Sequence, residues 1–216
     1  MTGKRAGCVA ATIIGVAAMA SSCTKAQLQG DSSSYLIINN FQGASVQAAG
    51  GSTPTFAGVL ESDVCVHPKA PATGCGVFED LGQATFQLAL KNPGTTGAPT
   101  TPTTTNFVTL NRYHVDFVRA DGRNTQGVDV PFSFDGAVTA TVGDSVTSAV
   151  ISLVRVQAKL EAPLAGLANL SSTAAISTIA RVTFYGTDQA GRDVSVVGQI
   201  GVNFADWADP PNASGS

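Results

Sequence analysis

Residues 84–91 read ATFQLALK, and this stretch decides the fold class. Consecutive side chains of a strand point to opposite faces. Ala84, Phe86, Leu88 and Leu90 therefore share one side, and Thr85, Gln87, Ala89 and Lys91 share the other. One apolar and one mostly polar face at a period of two marks an antiparallel strand packed on a single side.

The same alternation extends outward. Towards the N-terminus, residues 35–41 (YLIINNF) and 56–64 (FAGVLESDV) read as strands. Residues 92–106 (NPGTTGAPTTPTTTN) follow the central stretch, and Pro93, Pro99 and Pro102 make this an exposed loop rather than a central strand. Residues 107–119 (FVTLNRYHVDFVR) form a long strand whose alternation changes phase near Asn111-Arg112, which predicts a bulge. A turn covers residues 120–127, and strands at 128–134 and 137–142 flank a turn at Asp135-Gly136. Residues 149–157 are another strand. Residues 158–170 (AKLEAPLAGLANL) look helical, limited by Pro163 to a turn or two. Residues 176–185 and 193–204 form a last hairpin joined by 186–192.

Strands at this spacing, about eight or nine of them, predict an all-β fold, an immunoglobulin-like antiparallel sandwich over residues 35–204. Without βαβ alternation a parallel α/β sheet is not expected. The tail, 205–216, reads as loose.

The N-terminus reads as an address. Lys4 and Arg5 precede an uncharged run with a compact apolar centre, VAATIIGVAAMA at residues 9–20, so residues 1–22 have the anatomy of a secretory signal. Ala20-Ser21-Ser22-Cys23 resembles a lipobox, in which small residues precede a cysteine that becomes lipidated. Ala20 stands where Leu or Val is usual. Two alternatives stay open: cleavage at the A-x-A-like Ala18-Met19-Ala20, releasing a chain that begins at Ser21, or retention of the run as a membrane anchor. Residues 23–34 read as a flexible tether after the lipidated Cys23. Thr24, where an inner-membrane retention signal would carry Asp, favours the outer membrane. The expected partners are the bilayer, through acylated Cys23, and an envelope protein or glycan.

Cys8 leaves with the signal and Cys23 is taken by lipid. Cys65 and Cys75 remain, an even pair in an oxidising compartment, and a disulfide between them is expected. The alternative is a metal site of Cys65, His67 and Cys75, which is short of ligands.

Charge excludes one class of partner. Loss of Lys4 and Arg5 from the 12 basic residues leaves ten against 15 acidic ones, without a basic run to neutralise phosphates, so nucleic acid is not expected. G-x-S-x-G, H-E-x-x-H, P-loop and G-x-G-x-x-G motifs are absent, and no catalytic residue, metal or cofactor is expected. Glu79-Asp80 read as loop charges, and Asp121, Asp188 and Asp193 as turn-stabilising acids beside Arg123 and Arg192 rather than calcium ligands. Trp207, Tyr113 and His114 are the candidate ligand-binding residues. Together these point to a non-enzymatic accessory or protein-interaction module of the cell envelope. The alternative is a carbohydrate or small-ligand binding module at the cell surface.

Residues 111–204, with RADGRNTQGVDVPFSFDGAVTATV and ISTIARVTFYGTDQAGRDVSVVGQIGVNF, resemble a group of uncharacterised predicted lipoproteins from environmental, notably acidobacterial, bacteria. The resemblance implies a sandwich on a lipid anchor and carries no known activity or catalytic residues.

Overall fold

The computed structural model describes residues 32–45, 54–67, 74–170 and 173–207. The expected signal at 1–22, Cys23 and the tether as far as residue 31 lie outside the described residues. In chain order the strands are β1 (Ser34–Ser45), β2 (Val59–Asp63), β3 (Asp80–Leu90), β4 (Gly94–Thr95), β5 (Ala98–Pro99), β6 (Val108–Val118), β7 (Phe134–Val142), β8 (Thr147–Val154), β9 (Ile176–Asp188) and β10 (Asp193–Ala205). One short helix, α1 (Val156–Leu160), follows β8.

The fold is mostly β. A three-stranded antiparallel sheet has the order β1-β3-β8, and a five-stranded mixed sheet has the order β2-β10-β9-β6-β7, in which β2 runs parallel to β10. β4 and β5 make a small hairpin inside the Thr/Pro/Gly loop. The inner faces of the two sheets meet in one core. Phe86 and Phe41 of the smaller sheet approach Phe184 of the larger edge-on, with ring centroids 4.9 and 6.1 Å apart. Such edge-to-face pairs add to the transfer free energy of burying the rings. In β3 the predicted inward residues Ala84, Phe86 and Leu88 are buried. The phase change in β6 is a register shift between Leu110 and Arg112.

Other boundaries differ from expectation. Residues 128–133 do not form a strand; β7 begins at Phe134 and runs straight through Asp135-Gly136. The Thr125 carbonyl accepts the N–H groups of Val128, Asp129 and Val130, and the Asp129 carboxylate accepts that of Thr125 at 3.2 Å. A local turn thus consumes the donors that a strand would use, and Pro131 has none to offer. Gly136 serves close packing instead of a turn: a Cβ there would overlap the Tyr113 ring. The final hairpin is tighter than expected because β9 continues to Asp188, whose Oδ1 accepts the N–H groups of Ala190 and Arg192, each at 2.9 Å. At the N-terminal side Ser32 and Ser34 are buried, and Ser34 Oγ donates to the Asn106 carbonyl at 2.9 Å, so the last tether residues belong to the folded body. At the other end Ala205 and Asp206 are buried, which takes the start of the tail into the fold. Among the described residues no helix is long and apolar enough to cross a membrane.

Candidate functional site

Side chains able to do chemistry gather at one end of the sandwich, where β2 and β10 stop, β3 starts and α1 crosses. Cys65 lies two residues past β2, and Cys75 lies ahead of β3. The two form a disulfide, with Cα atoms 5.2 Å apart. A backbone pair between Val66 and Gly76, at 2.9 and 2.8 Å, closes the neck of the same loop.

His67 stands exposed beside the bridge. Its Nε2 is 3.5 Å from Cys65 Sγ and 3.5 Å from Asn169 Oδ1, and its Nδ1 is 3.7 Å from Asp206 Oδ1. Cys65, His67 and Asp206 thus present possible ligand atoms within 4.8 Å of one another. The sequence does not point to Asp206, because it lies in the expected tail. With Cys65 oxidised to the disulfide, His67 and Asp206 remain as donors, fewer than a structural zinc site requires. The cluster therefore works as a knot between strand ends. Asp63 tightens it, since its Oδ1 accepts the N–H of Cys65 at 3.1 Å and of Trp207 at 3.3 Å.

Behind the knot lies a fully buried polar group. Lys159 Nζ of α1 sits 2.9 Å from Asp80 Oδ2, the first residue of β3. Ser62 Oγ of β2 donates to the same Oδ2 at 2.6 Å, and Lys159 Nζ donates to the Asp63 carbonyl at 2.7 Å. Asp80 and Ser62 are 0% exposed and Lys159 2%, so this charge pair is shielded from water. Burial pushes the Asp80 carboxyl above its ordinary value, against the opposing pull of Lys159 and the Ser62 hydrogen bond. The expectation that Glu79-Asp80 are loop charges holds for exposed Glu79 and fails for Asp80. The signal was present: the inward alternation of Leu88, Phe86 and Ala84 runs back through Gly82 to Asp80. Lys159 gave no such signal, because the sequence does not show which side of so short a helix turns inward.

The three ligand-binding candidates do not converge. Tyr113 is a core residue at 4% exposure, its ring 6.2 Å from that of Phe134 and 6.4 Å from that of Phe184. It offers no surface platform. His114 points to the opposite face, where its Nδ1 lies 3.3 Å from Asp135 Oδ1, the oxygen that also takes Arg112 at 2.8 Å. Arg112 in turn covers the Tyr185 ring at 4.0 Å. Trp207 is partly buried past the end of β10, with its indole N–H enclosed. Tyr113 aligns with Phe184, which aligns with Val196 of β10. At about 3.3 Å per residue along a strand, Trp207 then lies roughly 35 Å from the level of Tyr113. At a separate turn, the Asp121 carboxylate is held by the guanidinium groups of Arg119 and Arg123 at 2.7 and 2.8 Å, the arrangement of a turn-stabilising acid.

No family model matches the chain, and comparison with curated proteins and with solved structures finds no match.

Proposed function

We propose that this chain is an exported, lipid-anchored cell-envelope protein whose immunoglobulin-like sandwich serves as a non-enzymatic accessory or interaction module, held by acylated Cys23, with the outer membrane as the favoured site. The observation that carries the reading is the Cys65–Cys75 disulfide. Disulfides persist where thiols are not kept reduced, outside the cytoplasm. The basic start, apolar run and ASSC sequence of residues 4–23 supply the route there.

Strand order supports the immunoglobulin-like part. The sheets β1-β3-β8 and β2-β10-β9-β6-β7 follow the A-B-E and G-F-C-C′ orders of that architecture, with β2 as an extra strand beside the last. Antibody domains bridge their B and F strands by a disulfide and lay a Trp from strand C against it. Phe86 and Phe184 meet at 4.9 Å in the corresponding place, and Tyr113 comes from the third position. The scattering of Tyr113, His114 and Trp207 supports a non-enzymatic role, and of the aromatic candidates Tyr113 and Trp207 it leaves the glycan-binding alternative Trp207 as the partly exposed ring.

Fractionation of cells expressing the full chain tests the anchor. The wild type is expected in the membrane fraction and the detergent phase, and Cys23→Ala in the soluble fraction. Equal partitioning of the two overturns the proposal. For the interaction role, a pull-down from detergent-solubilised envelope should recover a stoichiometric protein partner. Its absence, together with turnover of a substrate, counts against an accessory role.

A further inference from the structure

The buried pair behind the disulfide is arranged for more than an ion pair. We propose that Lys159 and Asp80 condense into an intramolecular isopeptide bond, a covalent strut from the middle strand of the smaller sheet to the helix that follows β8. The inference is independent of the anchor, because it rests on the geometry of the folded domain alone.

Three features favour condensation. The first is proximity. Nζ stands 2.9 Å from Asp80 Oδ2 and is aimed by its hydrogen bond to the Asp63 carbonyl at 2.7 Å. A nucleophile held beside the carboxyl group it is to attack gains the advantage of an intramolecular reaction. The second is the charge state. Both side chains are almost wholly withdrawn from water, at 1% and 0% exposure. In such surroundings a separated ammonium and carboxylate are costly. Moving one proton from Nζ to the carboxyl yields a neutral amine and a neutral acid, the forms that react, and burial drives Asp80 towards its protonated form. The third is a donor for the developing charge. Ser62 Oγ–H points at Oδ2 at 2.6 Å, so Oδ2 is the carbonyl oxygen whose charge grows when Nζ adds.

The step balances without a further reactant. The Nζ lone pair attacks Cγ of the Asp80 carboxylic acid, and the Nζ–Cγ bond forms. The Cγ–Oδ1 bond then breaks, and Oδ1 leaves as water with the acid proton and one amine proton. The product is a neutral amide in which the buried charges are gone. It retains a carbonyl for the Ser62 hydroxyl and an N–H for the Asp63 carbonyl.

Peptide mapping of the purified, reduced and alkylated full-length protein decides the matter. In an unlinked chain trypsin releases residues 70–91, which contain Asp80, and cuts after Lys159. The strut predicts instead residues 70–91 joined to residues 156–181, uncut at Lys159 and lighter than the sum of the two by one water. Recovery of both peptides separately, with cleavage after Lys159, overturns the proposal. Lys159→Arg keeps the cation and removes the reactive amine, so the linked species should vanish. If the water loss persists in that variant, the bond lies elsewhere and the assignment fails. If Lys159→Arg does not accumulate, Asp80→Ala supplies the same control.

Discussion

In the middle of the sandwich Phe86, Tyr113 and Phe184 meet ring to ring, whereas at its Cys65 end Asp80, Ser62, Lys159 and Asp63 meet as ions and hydrogen-bond partners, with equally little water. The middle is held by area and shape, which tolerate change in proportion to the volume altered. The polar end is held by mutual satisfaction, which fails abruptly when one member is lost. The middle thus fixes the architecture, while the end ties the termini of β2, β3 and β10 to one another and to α1.

The sharpest way to break that contrast is to strand one member of the polar group. Lys159→Met should destabilise the domain by roughly 3–5 kcal/mol in denaturant unfolding, because Asp80 stays buried without its cation, and loss of a covalent link would add to this. Combining it with Asp80→Leu should regain the part due to the stranded charge. If the double variant is no more stable than the single one, the end is held by packing like the middle. Phe184→Ala in the middle should cost about 3–4 kcal/mol, with an unchanged unfolding slope. A cost below about 1 kcal/mol would mean that the two sheets do not depend on this cluster.

The disulfide comes next. Replacing Cys65 and Cys75 together with Ser should lower stability by roughly 2.5–3 kcal/mol, the chain-entropy value for so short a loop. The effect should appear as a lower midpoint measured without reductant and should vanish when reductant is added to both proteins. The smallest effect is at the Asp121 turn. Arg119 first, then Arg123, hold this carboxyl well below the usual carboxylate range. A carboxyl depressed in the folded state adds stability above its ordinary pKa of about 3.9, and the gain fades as pH falls through the folded value. A carbon-detected titration should therefore show Asp121 still ionised where other carboxylates have protonated, and Arg119→Gln should move its midpoint upward. An unmoved midpoint would assign the depression to other groups.

How much of this was legible depended on period. Where a strand has one wet face, as in residues 84–91, the inward set follows from alternation, and the bulge in β6 showed itself as a phase slip. The disulfide followed from counting cysteines. The segment 128–133 misled because Val128, Val130 and Phe132 alternate like a strand, while the competing turn depends on Thr125 and Asp129 bonding to nearby backbone. The candidate site was legible only in part. Asp80 lay on the predicted inward face, but an acid there has meaning only with a cation opposite, and Lys159 is 79 residues away in sequence. Asp206 joined the cluster through the end of β10, a juxtaposition that only the fold supplies. Tyr113 was proposed as a surface ring although the phase slip at Asn111-Arg112 already sets it on one side with Val115 and Phe117, the side that is buried, and His114 on the other.

The proposed lipid anchor is tested most directly at the mature N-terminus of the protein isolated from the membranes of cells that make it. Mass spectrometry of the first peptide should show a chain beginning at Cys23 with diacylglycerol in thioether linkage on Sγ. A first residue of Ser21, followed by an unmodified Cys23 thiol, would contradict it.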